Sequence, residues 1–510
     1  MNSTLLWTLI SIQIFMGAFD TLYHHEFTER LAWRPSQSHE LKLHAVRNFF
    51  YAFIFIVLGW FEVYGWLAYG LIFILAVEVV ITLMDFVEED LSRKLPATER
   101  INHTLLALNY GAILVLAMPV LLGWAQQDSG FVATNYGPRS YFALLSALGV
   151  AVFGLRDLLA SFRSNRLVPL PAAELVRNLK PQQHILVTGA TGFIGKRLCE
   201  ALVLTGHDVT ALVRNPKTMP DMAMPLRVVT SLSQISADSR FDAIINFAGA
   251  PIAAGRWNAV KKAGFIESRL AVTRSVLELL ARLHTKPEVL INGSAVGWYG
   301  LRGDEQLEET DQSTDCFTHK LCSAWEAEAM KAKAMGVRPV LLRIGIVLGT
   351  QGGALTSMLT PFEFGLGGAM GDGEQWMSWI TRDDLVRLIA HCIARPELQG
   401  PVNAVAPNPL RNADFTQKLA KALNRPSVFR IPAFALKLLL GEFADELILG
   451  GQRVLPRKAL ASGFLFQHVE LGAAFASILG NRPVVGDFLG RTGIALCVAR
   501  GERNRLLLKQ

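Results

Sequence analysis

Residues 185 to 195 read Ile-Leu-Val-Thr-Gly-Ala-Thr-Gly-Phe-Ile-Gly, an apolar strand that runs through a glycine turn into a helix start. Few local folds accept this spacing. Gly189 permits a tight turn, Gly192 lets a pyrophosphate approach the backbone, and Gly195 lets the helix pack closely on its strand. Thr191, Phe193 and Ile194 complete the turn and the first helical residues. The run therefore predicts a dinucleotide-binding turn opening a strand–helix–strand unit.

What precedes it is different in kind. Apolar runs occupy roughly 5–23, 49–65, 66–84, 104–124 and 140–160, each near the ~20 residues that cross the hydrocarbon of a bilayer. The first lacks a basic leader and carries Gln13 and Asp20, so it reads as a retained span and not a signal peptide. The expected architecture is an all-α transmembrane bundle of about five spans over 1–162, then a linker over 163–183 marked by Pro169, Pro171 and Pro181. A doubly wound parallel α/β (Rossmann) domain is expected over 184–405, a small C-terminal α/β module over 406–482, and a tail over 483–510. The apolar stretch 492–498 in that tail is too short to span.

Charge sets an orientation. Arg30, Arg34, Lys42 and Arg47 follow the first span, Arg93, Lys94 and Arg100 the third, and Arg163 and Arg166 the fifth, whereas the opposite turns offer only Arg139. Because cytoplasmic loops concentrate Lys and Arg, the N-terminus is expected outside and the nucleotide domain inside, at the cytoplasmic (inner) membrane. The net charge of +7 goes with these flanks, and the expected partners are the lipid bilayer and a small molecule, with no nucleic acid. A homo-oligomer is one arrangement such spans allow. Five scattered cysteines without metal spacing imply reduced thiols and no disulfide.

Three acid/histidine pairs stand four residues apart: Asp20/His24, Glu40/His44 and Glu99/His103. On a helix each pair shares a face. His24, His44 and His103 are thus candidate ligands of a metal ion, or members of a proton relay; the alternative is helix-end caps and interfacial ion pairs.

In the second half, the strand at 209–213 ends in Arg214. An acid usually holds the ribose hydroxyls there, and a guanidinium suits a 2′-phosphate instead, so the expected cofactor is NADP(H). The alternative is a solvated arginine at a strand end. Ala248 and Gly249 follow a further strand, where the backbone again passes close to a dinucleotide.

These motifs continue in order through Ala248-Gly249-Ala250-Pro251-Ile252, Arg256-Trp257, Ser268-Arg269, Ser294 to Gly300, Trp325-Glu326, Arg343 to Gly349 and Gly371 to Asp384. Over about 184–480 the chain resembles the extended short-chain dehydrogenase/reductase superfamily, and within it the epimerase-like family named after YfcH, including its small C-terminal module. The first 160 residues are similar, by hydropathy and size alone, to multi-span modules of the DoxX kind. The superfamily resemblance implies hydride transfer with a tyrosine as acid/base, a lysine four residues later and an upstream serine. This chain departs from that pattern, for the residue four before Lys320 is Cys316, and with Glu326 as landmark the pair falls on Thr318 and Cys322. Ser294, Tyr299 and Lys320 remain the catalytic candidates, with His319 or a water held by Ser294 as further proton donors; the alternative for Tyr299 is a structural role in its turn. Arg256, Trp257 and Arg343 either hold an anionic or sugar-like substrate or tie loops to the core. Three functions follow as alternatives: a membrane-tethered NADP(H) oxidoreductase or nucleotide-sugar-epimerase-like enzyme whose substrate is lipid-linked or soluble; a non-catalytic NADP(H) sensor or scaffold; and a metal-dependent redox module fed by the nucleotide domain.

Overall fold

The computed structural model describes residues 3–481 apart from Lys94, Val168, Asp221 and Ala254. The expected tail, with Cys497, and one of the basic residues used for orientation lie outside the described residues.

Five long helices form the first half: α1 (Thr4–Phe19), α2 (Ser38–Trp60), α3 (Trp66–Ser92), α4 (Ala97–Ala125) and α5 (Pro138–Ser164). By length and composition all five can cross a membrane. Their outward faces are apolar, with Phe15, Trp66, Phe73, Leu91, Val115 and Leu145 exposed. The inward side packs Leu6, Trp7, Ile54, Leu71, Ile113 and Leu121. Helices α2 and α5 approach through small residues; a Cβ on Gly59 would lie 2.6 Å from that of Ala143. Two short strands that the sequence did not suggest, β1 (Phe61–Tyr64) and β2 (Gly130–Ala133), pair antiparallel across one end.

α1 does not stop at Phe19. It continues as a nine-residue π-helix, Asp20–Thr28, before two short 3₁₀ turns lead into α2. The residues that interrupt the apolar runs collect at this end, where Asp20, His24, His25, Glu40, His44, Asp85, Glu89, Glu99 and His103 are all buried.

The 163–183 segment is not a free linker. Residues Ala172–Val176 form a helix, α6, whose Leu175 and Val176 join the core of the nucleotide domain. That domain is built on β3 (His184–Thr188), β4 (Asp208–Leu212), β5 (Arg227–Val229), β6 (Ala243–Asn246) and β7 (Val289–Ala295). A short β8 (Gln306–Leu307) leaves the sheet, which β9 (Arg338–Ile344) and the edge strand Gly400–Ala404 then complete. All pair in parallel, in the order edge strand, β9, β7, β6, β3, β4, β5. The order turns back between β3 and β6, so a crevice opens at the carboxyl ends of these strands. Helices cover both faces, which is why Ile185, Leu186 and Val187 are all fully buried with no alternation.

The C-terminal module is interwoven with this domain and not appended to it. Phe429–Ile431 pairs with Gly368–Met370, Leu410–Arg411 with Trp376–Met377, and Arg453–Val454 with β8. The two halves of the chain also share one apolar core. Leu31, Trp33, Leu41 and Ala160 pack with Leu355, Leu359, Phe362 and Phe415. Above this contact Glu363 accepts hydrogen bonds from Trp33 (3.3 Å), Arg156 (3.0 Å) and Arg163 (3.0 Å).

Candidate active site

The glycine turn has the geometry its sequence predicts. Gly189 has φ +68°, and a Cβ there would meet the carbonyl of Phe247 at 2.7 Å. A Cβ on Gly195 would lie 2.2 Å from the Gly189 oxygen, so only hydrogen lets α7 (Phe193–Leu204) start this close to β3. Thr191 and Gly192 are exposed at the mouth of the turn. No acidic residue occupies the first turn of α7, leaving its amino end free of competing negative charge. Ile194 packs against the sheet core. Phe193 serves the turn from beneath: its ring fills the space that Gly349, Gly352 and Gly353 leave open, with the Arg382 guanidinium 5.1 Å from the ring centroid.

Strand register brings polar residues into line below this turn. Thr188 stands beside Asn246, and Asn246 beside Asn292. Thr188 Oγ1 donates to Asn246 Oδ1 (2.6 Å), and Asn246 Nδ2 donates to Asn292 Oδ1 (2.7 Å) and Thr273 Oγ1 (2.9 Å). This satisfied network fixes the strand ends. Ala248 N donates to Thr188 Oγ1 (3.3 Å), holding the Ala248–Gly249 loop on the same frame, and Gly249 lies against Arg269. Arg214 is exposed just beyond β4, at the end of the crevice where an adenosine ribose lies in folds of this topology.

A cavity of about 280 Å³ lies between the sheet and the C-terminal module. Its floor is Ser294, and its walls include Ile252, Trp325, Trp376, Gln375 and Gln452. Register sets Ser294 on β7 next to Arg343 on β9. Glu326 reaches in from α9 (Phe317–Met330) and accepts from both: Ser294 Oγ at 2.6 Å on Oε1, and Arg343 Nε and Nη2 at 3.0 Å on Oε1 and Oε2. The Arg343 guanidinium also lies 3.4 Å from the Trp298 ring centroid. Burial would lower its affinity for the proton, but the paired hydrogen bonds and charge of Glu326 outweigh that and raise it. The module positions α9, since the Glu446 carboxylate accepts the backbone N–H groups of Phe317 (2.9 Å) and Thr318 (2.8 Å) at that helix's amino end.

Of the three catalytic candidates, the structure puts one in the cavity. Tyr299 is fully buried outside it, its hydroxyl within hydrogen-bond reach of Asn403 Oδ1 (2.7 Å) and the Glu308 carbonyl (2.9 Å). Burial pushes its phenol up to about 12, against the pull of Arg343, so it stays protonated. Lys320 faces outward and pairs with Asp315 at 3.1 Å. His319 is turned toward the Trp298 carbonyl (2.6 Å). Neither tyrosine nor lysine is among the described residues that line the cavity. Glu326 and Arg343, which sequence reasoning used as a landmark and as an anion or loop tie, are the partners of Ser294. Trp257 ties a loop, its indole N–H on the Ile252 carbonyl (3.0 Å) and its ring among Phe265, Phe317 and Phe443.

In the bundle, His103 joins Asp20, His25 and Glu99 in one cluster, His44 joins His25 and Glu89 in a second, and His24 belongs to neither. Its Nδ1 meets Asp20 (2.8 Å) and its Nε2 meets Thr98 (3.2 Å), and its neighbour His25 takes the central place.

Comparison with known proteins extends these observations. Residues 185–405 match the model of the NAD dependent epimerase/dehydratase family, and 431–478 match a domain of unknown function, DUF1731. The epimerase family protein SDR39U1 homolog of Arabidopsis thaliana is 38% identical over 307 residues, covering 58% of this chain and 87% of that one. The epimerase family protein YfhF of Bacillus subtilis is 36% identical, covering 59% of this chain and all of its own length. Among solved structures, human SDR39U1 with NADPH superposes with a TM-score of 0.52 at 31% identity, covering 58% of this chain and 99% of that one. The nucleoside-diphosphate sugar epimerase of Corynebacterium glutamicum gives 0.50 at 28% identity, covering 75% of this chain and 79% of its own. With these identities over nearly the whole of its relatives, laid on the glycine turn and parallel sheet described above, the chain belongs to the NAD dependent epimerase/dehydratase family.

Proposed function

We propose that the protein is an NADP(H)-dependent oxidoreductase or epimerase-like enzyme, held at a bilayer by its five-helix bundle and acting on a small molecule in the cavity above Ser294. The observation that carries this reading is the Ser294–Glu326–Arg343 constellation, whose Ser294 lines a cavity between the sheet that carries the glycine turn and the C-terminal module. The turn fits a dinucleotide: at Gly189 and Gly195 a Cβ would collide with backbone and force the tight turn open, the amino end of α7 can face a pyrophosphate, and Arg214 is exposed where a 2′-phosphate would lie. The NADPH in the human relative supports the same choice of cofactor.

The nicotinamide supplies the hydride donor or acceptor. The chain's own residues supply orientation and proton handling. Because the Ser294 hydroxyl donates to Glu326, its lone pairs are left to accept from a substrate alcohol. A proton leaving that alcohol passes to Ser294 Oγ as the serine hydrogen moves to Glu326 Oε1, and Arg343 fixes Glu326 through both carboxylate oxygens. Trp325 and Trp376 close the cavity with apolar surface, which limits water around the reacting carbon.

Tethering rests on the apolar outer faces of helices long enough to span. The basic residues around Arg30, Arg100 and Arg163 favour a cytoplasmic nucleotide domain, and a tethered domain favours a lipid-phase substrate. A second reading, an NADP(H)-binding sensor without turnover, is favoured by the placement of Tyr299 and Lys320 outside the cavity. The test is binding of NADPH and NADH to the full-length protein in detergent and to Arg214→Ala, followed by NADPH oxidation with membrane extract. NADPH preference lost in Arg214→Ala, with oxidation that Ser294→Ala abolishes, supports the enzyme. Binding without oxidation supports the sensor, and no preference for NADPH overturns the cofactor assignment.

A further inference from the structure

The polar end of the helix bundle buries more carboxylates than its guanidiniums answer. Asp20, Glu40, Asp85, Glu89 and Glu99 are all within 4% of full burial. Arg47 pairs with Asp85 (2.5 Å), and Arg93 bridges Glu40 (3.0 Å) and Glu99 (2.6 Å). That leaves Asp20 to His24 (2.8 Å) and His103 (3.0 Å), and Glu89 to His103 (3.2 Å) and His44 (3.4 Å), in a setting where unpaired charge is costly. His25 Nε2 has no hydrogen-bond partner, whereas Glu89 Oε2 and Asp85 Oδ1 meet only the imidazoles of His103 (3.2 Å) and His44 (3.3 Å). His25 is only 6% exposed, and its ring stacks flat on His44 at 4.6 Å.

Four of these residues already stand as a ligand set. Asp20, His25, Glu99 and His103 each present one donor atom, all within 4.8 Å of one another. His103 Nε2 lies 3.0 Å from Asp20 Oδ2, and His25 Nε2 lies 3.5 Å from both Asp20 Oδ2 and Glu99 Oε1. Donors about 2.0–2.2 Å from a tetrahedral ion stand roughly 3.3–3.6 Å apart, so these three spacings suit one cation, and the rest of the set, within 4.8 Å, would draw in around it. Outer contacts aim the ligands. His24 and Asn102 (3.1 Å) hold Asp20 Oδ1, leaving Oδ2 to the centre; Arg93 holds Glu99; and Phe86 stacks on His103 at 5.0 Å.

The backbone supports the same centre. The π-helical segment hydrogen-bonds from residue i to i+5 and turns more widely than an α-helix, so Asp20 meets both His24 (2.8 Å) and His25 (3.5 Å). π-Helical geometry is rare and concentrates at functional sites. A neighbouring cavity of about 240 Å³, lined by Asp20, Arg47, Tyr51, His103 and Tyr110 with apolar walls, lies against the centre.

We infer that this end of the bundle binds one divalent first-row transition-metal ion through Asp20, His25, Glu99 and His103. Two imidazoles and two carboxylates suit Zn²⁺ or Fe²⁺ and disfavour Mg²⁺ or Ca²⁺, which take oxygen donors. The site is independent of the nucleotide reading.

The test uses the full-length protein in detergent. Metal content is measured by inductively coupled plasma mass spectrometry, and the chelated protein is then titrated with Co²⁺ while visible d–d absorption is followed. The expected result is about one metal per chain, Co²⁺ bands saturating at about one equivalent, and at least tenfold weaker Co²⁺ binding in His25→Asn and His103→Asn. His39→Asn, at an exposed pair with Glu88, leaves binding unchanged. Should the ligand variants fail to fold, the wild-type titration decides alone. No d–d bands in the wild type, or variants that bind as it does, overturns the assignment and leaves a closed network of ion pairs.

Discussion

Replacing Glu326 by Gln tests whether the buried constellation under the cavity works as a unit. The substitution keeps the side-chain volume and removes the charge that answers Arg343, which is 2% exposed. Removing one partner of a buried pair costs about 3–5 kcal/mol. The amide oxygen retains one acceptor and the Trp298 face still shields the guanidinium, so a loss near 3 kcal/mol is expected on the same basis. In a domain somewhat above 200 residues, 1 kcal/mol moves the melting temperature by about 2–4 °C. The full-length protein should therefore melt about 6–12 °C lower, followed by tryptophan fluorescence in detergent. Arg343→Met alone should cost a similar amount by leaving Glu326 buried without its main partner. The double variant Glu326→Gln/Arg343→Met should lose less than the two together by about 2 kcal/mol, within the range seen for contacting charges. Where NADPH oxidation is measurable, Glu326→Gln should slow kcat by about 100-fold with little change in NADPH affinity, since a positioned proton acceptor contributes on this order. A Glu326→Gln protein that melts within 2 °C of the wild type, with additive effects in the double variant, would refute the reasoning, because the pair would then carry no buried charge coupling.

Burial pushes the thiols of Cys199, Cys322 and Cys392 each up to about 12. At pH 8 only about one in 10⁴ of such groups is thiolate, so among the four described cysteines maleimide should label half-buried Cys316 first, and the other three only after denaturation; mass spectrometry of the native protein showing prompt labelling of Cys322 would contradict this. Asp384 behaves oppositely on the acid side. Burial would raise its pKa, but the His468 imidazole 3.8 Å away, the backbone N–H groups of Gln467 (2.9 Å) and His468 (3.0 Å), and Arg387 lower it. A carboxyl lowered in the folded state contributes stability above its unfolded value of about 3.9 that is lost as pH falls through the folded value. Asp384→Asn should cost about 1–3 kcal/mol at neutral pH and flatten the acid limb of melting temperature against pH; an unchanged acid limb would count against the assignment.

Local patterns in the chain were legible because their physics is local. The Gly189-x-x-Gly192-x-x-Gly195 spacing determines a strand–turn–helix whatever surrounds it, since only hydrogen fits between Gly195 and the Gly189 carbonyl. Runs of about 20 apolar residues likewise determine long helices with apolar outer faces. Relations across the chain were decided by tertiary structure. Ser294 and Arg343 are 49 positions apart and meet only because β7 and β9 pair in that register, and Glu326 reaches them only because Glu446, from the far end of the chain, seats α9. Tyr299 shares a turn with Ser294 in sequence, yet the turn sends one side chain into the cavity and the other into the core. The bundle shows the same division in a single residue. A four-residue spacing pairs Asp20 with His24, and the structure keeps that pair at 2.8 Å; what the spacing did not show is that the chain there winds as a π-helix, whose wider turn brings His25 to Asp20 as well. Sequence periodicity presumes the helix that reads it, and which helix forms is settled by the neighbours it must pack against.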